Sequence, residues 1–215
     1  AGTYQSDTGQ TDCDDADAGY YVPTTAQSSQ APCSTGSYQA STGQTFCDDA
    51  DAGYYVPSPA QSSQTACSLG TYQAATGQSS CDDADAGYYV YQTGQSSQTA
   101  CSAGTYNPNT GSSSSSACGD ADAGYYVSGI AQTSQTACAA GTYQATTGQS
   151  SCDDADAGYY VSSTAQTSQT ACSAGTYNPS TGSTISTDCV DADAGYYVST
   201  TAQSSQTACL AGTYQ

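Results

Sequence analysis

The chain has no lysine, arginine or histidine, no methionine or tryptophan and no glutamate, and its 19 aspartates leave a formal charge of -19. Each absence removes a class of function. Without a cation the surface cannot neutralise phosphates, the contact that supplies most nucleic-acid affinity, so neither DNA nor RNA is an expected partner. Electrostatic attachment to an anionic membrane is excluded on the same ground. Serines abound, but no His or Lys is present to activate one, and a carboxylate pair copied along the chain is not a single preorganised pocket. No enzyme activity is expected.

Long apolar side chains are scarce. Leu, Ile, Val and Phe supply 12 of the 215 residues, far under the roughly 20% below which composition starts to signal disorder. Serine and threonine make up about 30% of the chain, which alone would suggest a solvated, unfolded polymer. The regular recurrence of cysteine, glycine and tyrosine argues for a fold, since a disordered chain has no reason to keep them in phase. No apolar run reaches the length of a signal peptide or membrane span and no methionine opens the chain. A mature or excised piece, without membrane insertion in this segment, is the expectation.

Present in their place are 12 cysteines, 22 glycines and 20 tyrosines. An even number of cysteines, without histidine or a close CxxC pair, reads as disulfides rather than zinc, and disulfides need an oxidising compartment. The expected location is extracellular or at the cell surface.

The glycines of the recurring G-x-Y triplets set the period: Gly2, Gly19, Gly36, Gly53, Gly70, Gly87, Gly104, Gly124, Gly141, Gly158, Gly175, Gly195 and Gly212. Every step is as long as that from Gly2 to Gly19, except Gly104 to Gly124 and Gly175 to Gly195, which hold the lengthened tips NPNTGSSSSSAC and NPSTGSTISTDC. Two kinds of unit alternate. One reads GTYQ-x-x-TGQ-x-x-C; the other opens AGYYV and has Gln where the first has its last Cys. Taken in pairs, the units give six repeats at approximately 2–35, 36–69, 70–103, 104–140, 141–174 and 175–211, with a seventh beginning at 212–215. They form one continuous tandem array.

Short β-prone pieces (TYQ, YYV) flank turn-forming TG, PS or NP, which is the layout of a small hairpin. The expected fold is all-β: small disulfide-stapled repeats, each 17-residue unit one β-hairpin, strung into an elongated rod. A β-solenoid is the alternative, weakened by the lack of aliphatic side chains to fill its coils. Glycine supplies a positive φ or a close backbone approach at each unit junction. Stacked tyrosines, each able to bury roughly 150–250 Å², are expected to replace the missing core. A carbohydrate-binding aromatic surface is the other reading of the tyrosines. In each YY, one is expected to be the more exposed: Tyr20, Tyr54, Tyr88, Tyr125, Tyr159 and Tyr196, because neighbours on a strand face opposite sides.

The motifs C-x-x-G-T-Y, TGQ-x-x-C and AGYYV resemble ephrin-receptor-like cysteine-rich modules and, more distantly, the first loop of tumour necrosis factor receptor repeats. The resemblance covers the whole chain. In that family C-x-x-C joins successive loops, one cysteine closing a loop and the next opening another. Here the position three after Cys13, Cys47 or Cys81 is Ala16, Ala50 or Ala84, and three before Cys33, Cys67 or Cys101 stands Gln30, Gln64 or Gln98. The YY units lack both cysteines and the GTY units keep both. The resemblance therefore implies Cys33 with Cys47, Cys67 with Cys81, Cys101 with Cys118, Cys138 with Cys152 and Cys172 with Cys189. A loop of this length is worth roughly 3 kcal/mol in the chain-entropy account. Cys13 and Cys209 would then pair beyond the ends. A rival pairing, running in equal steps from Cys13 with Cys33 to Cys189 with Cys209, satisfies all 12 internally, and connectivity stays open between the two.

Each joint also carries a pair of aspartates at i and i+2: Asp15 and Asp17, Asp49 and Asp51, Asp83 and Asp85, Asp120 and Asp122, Asp154 and Asp156, Asp191 and Asp193. If extended, each pair shares one face at roughly 7 Å. Weak calcium binding is one reading; a solvated acidic joint that attracts counterions is the other. No other cofactor is expected. The hydroxyl-rich tips at Thr24, Thr25, Ser58, Ser112, Ser113, Ser114, Ser115, Ser116, Thr181, Ser183 and Thr184 are candidates for covalent O-glycans or bare polar turns.

The functional expectation is a structural extracellular protein, an in-register segment of a rod or filament whose partners are copies of itself joined head to tail. A ligand-binding or adhesive cell-surface ectodomain stalk is the rival. It would be expected to show one specialised unit, whereas these six copies differ only at tips such as Tyr91, Gly119, Ile130 and Val190.

Overall fold

A computed structural model of the chain describes residues 1–212. The rest of the seventh repeat, at 213–215, lies outside the described residues. Among those described, 24 two-residue strands pair as 12 separate antiparallel hairpins. The only helical pieces among them are two single 3₁₀ turns, Ser115–Ala117 and Ser186–Asp188, in the two lengthened tips. Thr3–Tyr4 pairs with Asp14–Asp15, Tyr20–Tyr21 with Ala31–Pro32, and Ser37–Tyr38 with Asp48–Asp49, so each repeating unit is one hairpin. Among the described residues the named strands pair within hairpins, with one isolated parallel bridge between Tyr4 and Gln27, so each 17-residue unit is a hairpin and not a single coil. The solenoid alternative does not describe the fold.

Successive units are joined by a tight turn. The Tyr20 N–H donates to the Asp17 carbonyl at 2.9 Å and Gly19 between them has φ +87°, the pattern of a type II turn with glycine at its third position. The Thr71 N–H donates likewise to Ser68 across Gly70. This explains the phase-locked glycines, and the close approach expected there is real. A β-carbon on Gly19 would fall 2.4 Å from the Ala60 carbonyl oxygen, two units on.

The hairpins are stitched together by main-chain bonds that recur from unit to unit. Gly2 donates to Val22, Val22 to Gln44 and Gln39 to Gln61. Each tip also reaches back, Gly43 donating to Ala16 and Ala60 to Cys33. These tip contacts link units of like kind, GTY to GTY and YY to YY. The tip residue in YY units is usually alanine held at positive φ, as at Ala26, Ala60, Ala131, Ala165 and Ala202, where GTY units have glycine.

The chain divides into two compact units, one of Ala1–Ala100 with Asn109–Ala117, the other of Cys101–Pro108 with Cys118–Gln215. Within each the same interior recurs. Ala16, Ala50, Ala84, Ala121 and Ala155, the valines Val22, Val56, Val90, Val127 and Val161, and the first cysteine of each bonded pair are all fully buried. The tyrosines are not. Those of each YY are half-buried alike in the first five copies, and Tyr196 and Tyr197 are exposed. Among the described residues one ring pair is in contact, Tyr89 with Tyr91. The expected tyrosine core and the expected difference within each YY are both overturned. Glycine junctions bring neighbouring backbones close together, and the apolar side chains buried there are those of Ala, Val and Cys, with amides such as Gln39, Asn107 and Asn178 buried beside them.

Candidate functional site

Five disulfides staple the GTY hairpins: Cys33–Cys47, Cys67–Cys81, Cys101–Cys118, Cys138–Cys152 and Cys172–Cys189. None follows the rival pairing of Cys13 with Cys33. Each joins the residue three before the junction glycine to the residue that leads into the second strand, across a sequence separation of 14 or, in the long units, 17. Cys13 and Cys209 are free thiols.

In the YY units the same two ends are closed by a different device. The Gln30 side chain accepts a hydrogen bond from the Asp17 main-chain N–H at 2.6 Å and donates one to the Asp17 carboxylate at 2.6 Å. The clasp recurs at Asp51 with Gln64, Asp85 with Gln98, Asp122 with Gln135, Asp156 with Gln169 and Asp193 with Gln206. Gln30 stands as far after Gly19 as Cys47 does after Gly36. Cysteine and glutamine are thus alternative closures of one hairpin. The clasp is exposed and correspondingly weaker than a covalent bond.

The clasp escapes the sequence reading, though a signal is there. Every unit with Gln at this position has Asp two before its glycine, whereas GTY units have Ser34, Ser68, Ser102, Ala139 or Ser173 at that place.

This arrangement redistributes the acidic pairs. Asp15 ends a strand, Ala16 then donates to Gly2, and Asp17 opens the turn, so the pair is not one extended face. One carboxylate is held by glutamine. The other, on Asp15, lies against the tip of a later unit, where a β-carbon on Gly43 would come 3.3 Å from its carboxyl carbon. Asp49, Asp83, Asp120 and Asp154 face Gly77, Gly111, Gly148 and Gly182 in the same way. Among the described residues no group of three or more carboxylates or thiols is gathered as a metal site.

Of the hydroxyl candidates, Thr24, Thr25, Ser58, Ser113 to Ser116, Thr181 and Thr184 are exposed and Ser112 is half-buried. Ser183 is buried: its hydroxyl accepts from the Asn178 side chain at 2.8 Å, inside the lengthened loop. It is removed from the glycan candidates, because a buried, bonded hydroxyl is out of reach of a transferase.

Asn178 stands where the shorter units have Gln39, Gln73 and Gln144, all buried amides that brace their loops. Gln39 donates to the Phe46 carbonyl at 3.0 Å and accepts from the Ser41 N–H at 3.0 Å. Among the described residues no buried side-chain nitrogen or oxygen lacks a partner, and no helix is long and apolar enough to cross a membrane.

No protein-family model matches the chain, and a search of curated proteins finds no significant relative.

Proposed function

We propose that this is a structural extracellular protein that works as a segment of a rod or filament, its partners being copies of itself joined head to tail. The observation that carries the reading is the placing of the two free cysteines. Cys13 stands as far after Gly2 as Cys47 does after Gly36, and Cys209 stands three before Gly212, as Cys33 does before Gly36. They are the second half of one staple and the first half of another. Joining Cys209 of one copy to Cys13 of the next makes one more staple of the kind already present five times. The two thiols give up two protons and two electrons to a disulfide-carrying oxidant of the export route.

The joints support the reading in a second way. All six are built alike, and in each the carboxylate and glutamine clasp serves the hairpin itself. That suits a chain whose task is to be extended. Charge keeps such a polymer dispersed, and the exposed hydroxyls at Thr24, Thr25, Ser58, Ser113 to Ser116, Thr181 and Thr184 are open to O-glycans.

Electron microscopy of unreduced material, with mass spectrometry of a digest cut at aspartate, tests this. Long uniform fibres with a Cys209–Cys13 crosslinked peptide are expected. Short discrete particles whose Cys13 and Cys209 remain alkylatable would overturn it.

A further inference from the structure

The array departs from its own repeat in one place where two departures meet. The residue after YYV is proline or serine in five copies, at Pro23, Pro57, Ser128, Ser162 and Ser199, and tyrosine only at Tyr91. The loop that follows is the lengthened one with the run Ser112 to Ser116. The main chain brings the two together, since the Val90 N–H donates to the Ser112 carbonyl at 2.9 Å.

An open cleft of about 440 Å³ results, lined by Tyr89, Tyr91, Ser113, Ser114 and Ser115. Tyr91 is 55% exposed. Its ring centroid is 6.0 Å from that of Tyr89 and the planes meet at 47°, so the two rings form an angled wall instead of closing on each other. The serine segment of the lining is held in shape from within. Ser114 accepts from the Ser116 N–H at 3.1 Å and its hydroxyl lies 2.8 Å from that of Ser116, at the start of the 3₁₀ turn Ser115–Ala117.

We infer that this cleft binds a neutral saccharide, which makes the unit around Tyr91 a specialised one and requires Ser113 to Ser115 to be free of O-glycans. A sugar ring has an apolar C–H face and a rim of hydroxyls. The tyrosine faces match the first, and the phenol and serine hydroxyls, each able to donate and accept, match the second. Its size falls within the range of small-ligand sites. Charge narrows the choice. The cleft lining contains no ionisable carboxylate, an anionic ligand meets a chain of charge -19 with no cation to pair with it, and a cationic one is drawn to the aspartates at the joints.

The test is calorimetric titration of the full chain, produced without glycosylation, with cellohexaose, maltohexaose, chitohexaose and xylohexaose, compared with Tyr91→Ser. At least one hexasaccharide is expected to bind, and Tyr91→Ser to weaken it by roughly tenfold or more. The variant keeps the fold, because serine already occupies the equivalent places at Ser128, Ser162 and Ser199; an unchanged thermal melt checks this. No binding by any of the four, or equal binding by a folded Tyr91→Ser chain, overturns the assignment. Fibre assembly is scored on the same samples, so loss of one property is told apart from loss of the other.

Discussion

The α-carbon of Gly36 faces the carbonyl of Gly77 so closely that a β-carbon on Gly36 would lie 2.1 Å from that oxygen. Gly36 also has φ +83°. Two separate demands, a turn and a near approach, fall on one residue. The pairing repeats along the array, from Gly2 with Gly43 to Gly158 with Ala202, and it sets the spacing at which one hairpin rests upon another.

Gly36→Ala should therefore destabilise by about 3 kcal/mol or more, since both backbones are held by main-chain hydrogen bonds, Gly36 to Val56 and Gly77 to Ala50. Gly9→Ala, at φ +78° with nothing within 4 Å, should cost only about 1–2 kcal/mol, the left-handed strain alone. Chemical denaturation of the two variants gives the comparison; equal losses would refute the close-approach argument.

The reverse substitution is expected at the tips. Ala60 has φ +58°, and the third YY unit already has Gly94 at this place. Ala60→Gly should stabilise by about 1 kcal/mol by removing the strain. A lower melting temperature would show that the alanine methyl contributes packing that outweighs it.

Glutamine clasp and disulfide can be exchanged. Breaking the staple with Cys67→Ser and Cys81→Ser should cost about 3 kcal/mol, whereas Gln64→Ala should cost about 1 kcal/mol, as an exposed hydrogen-bonded pair does. Ala50→Cys with Gln64→Cys should form a new bridge between those two positions, read as a crosslinked peptide in an unreduced digest. Free thiols at both sites would sink the equivalence.

Alkali should loosen the hairpins at Tyr72 and Tyr143. Burial, then Asp85, Asp82 and Tyr88, raises the Tyr72 phenol above 10.0, and burial, then Asp156, Asp153 and Tyr159, does the same to Tyr143. A value raised in the folded state means that the fold favours the neutral phenol. This stability is fully present below pH 10.0 and is lost as pH rises through the raised values. Ultraviolet titration of phenolate should show a late-ionising class missing from a Tyr72→Phe, Tyr143→Phe variant. Simultaneous ionisation of all phenols in both chains would contradict it.

Hairpin length, number and junctions could be read from the sequence because glycine keeps strict phase and the turn chemistry is local. The interior could not. Side-chain area pointed to tyrosine, but the buried apolar side chains are the small ones of residues such as Ala16, Cys33 and Val22, with the amides of Gln39 and Asn178 buried beside them. Reading Asp17 as half of an acidic pair hid its link to Gln30, which leads into the far strand of the hairpin. The burial of Ser183 depended on Asn178 standing where Gln39 stands in a shorter loop.

The stitching bonds have one more consequence, for the rate at which the chain acquires its structure. Gly2 reaches Val22, Ala16 reaches Gly43, and the contact of Gly2 against Gly43 recurs down the array, lengthened only where it spans one of the long tips, as from Gly104 to Gly148. Sequence separation between contacting residues is fixed by the repeat, so relative contact order falls as repeats are added. Each hairpin needs only its near neighbours as a template, and lengthening the array adds stability without adding a more distant loop to close.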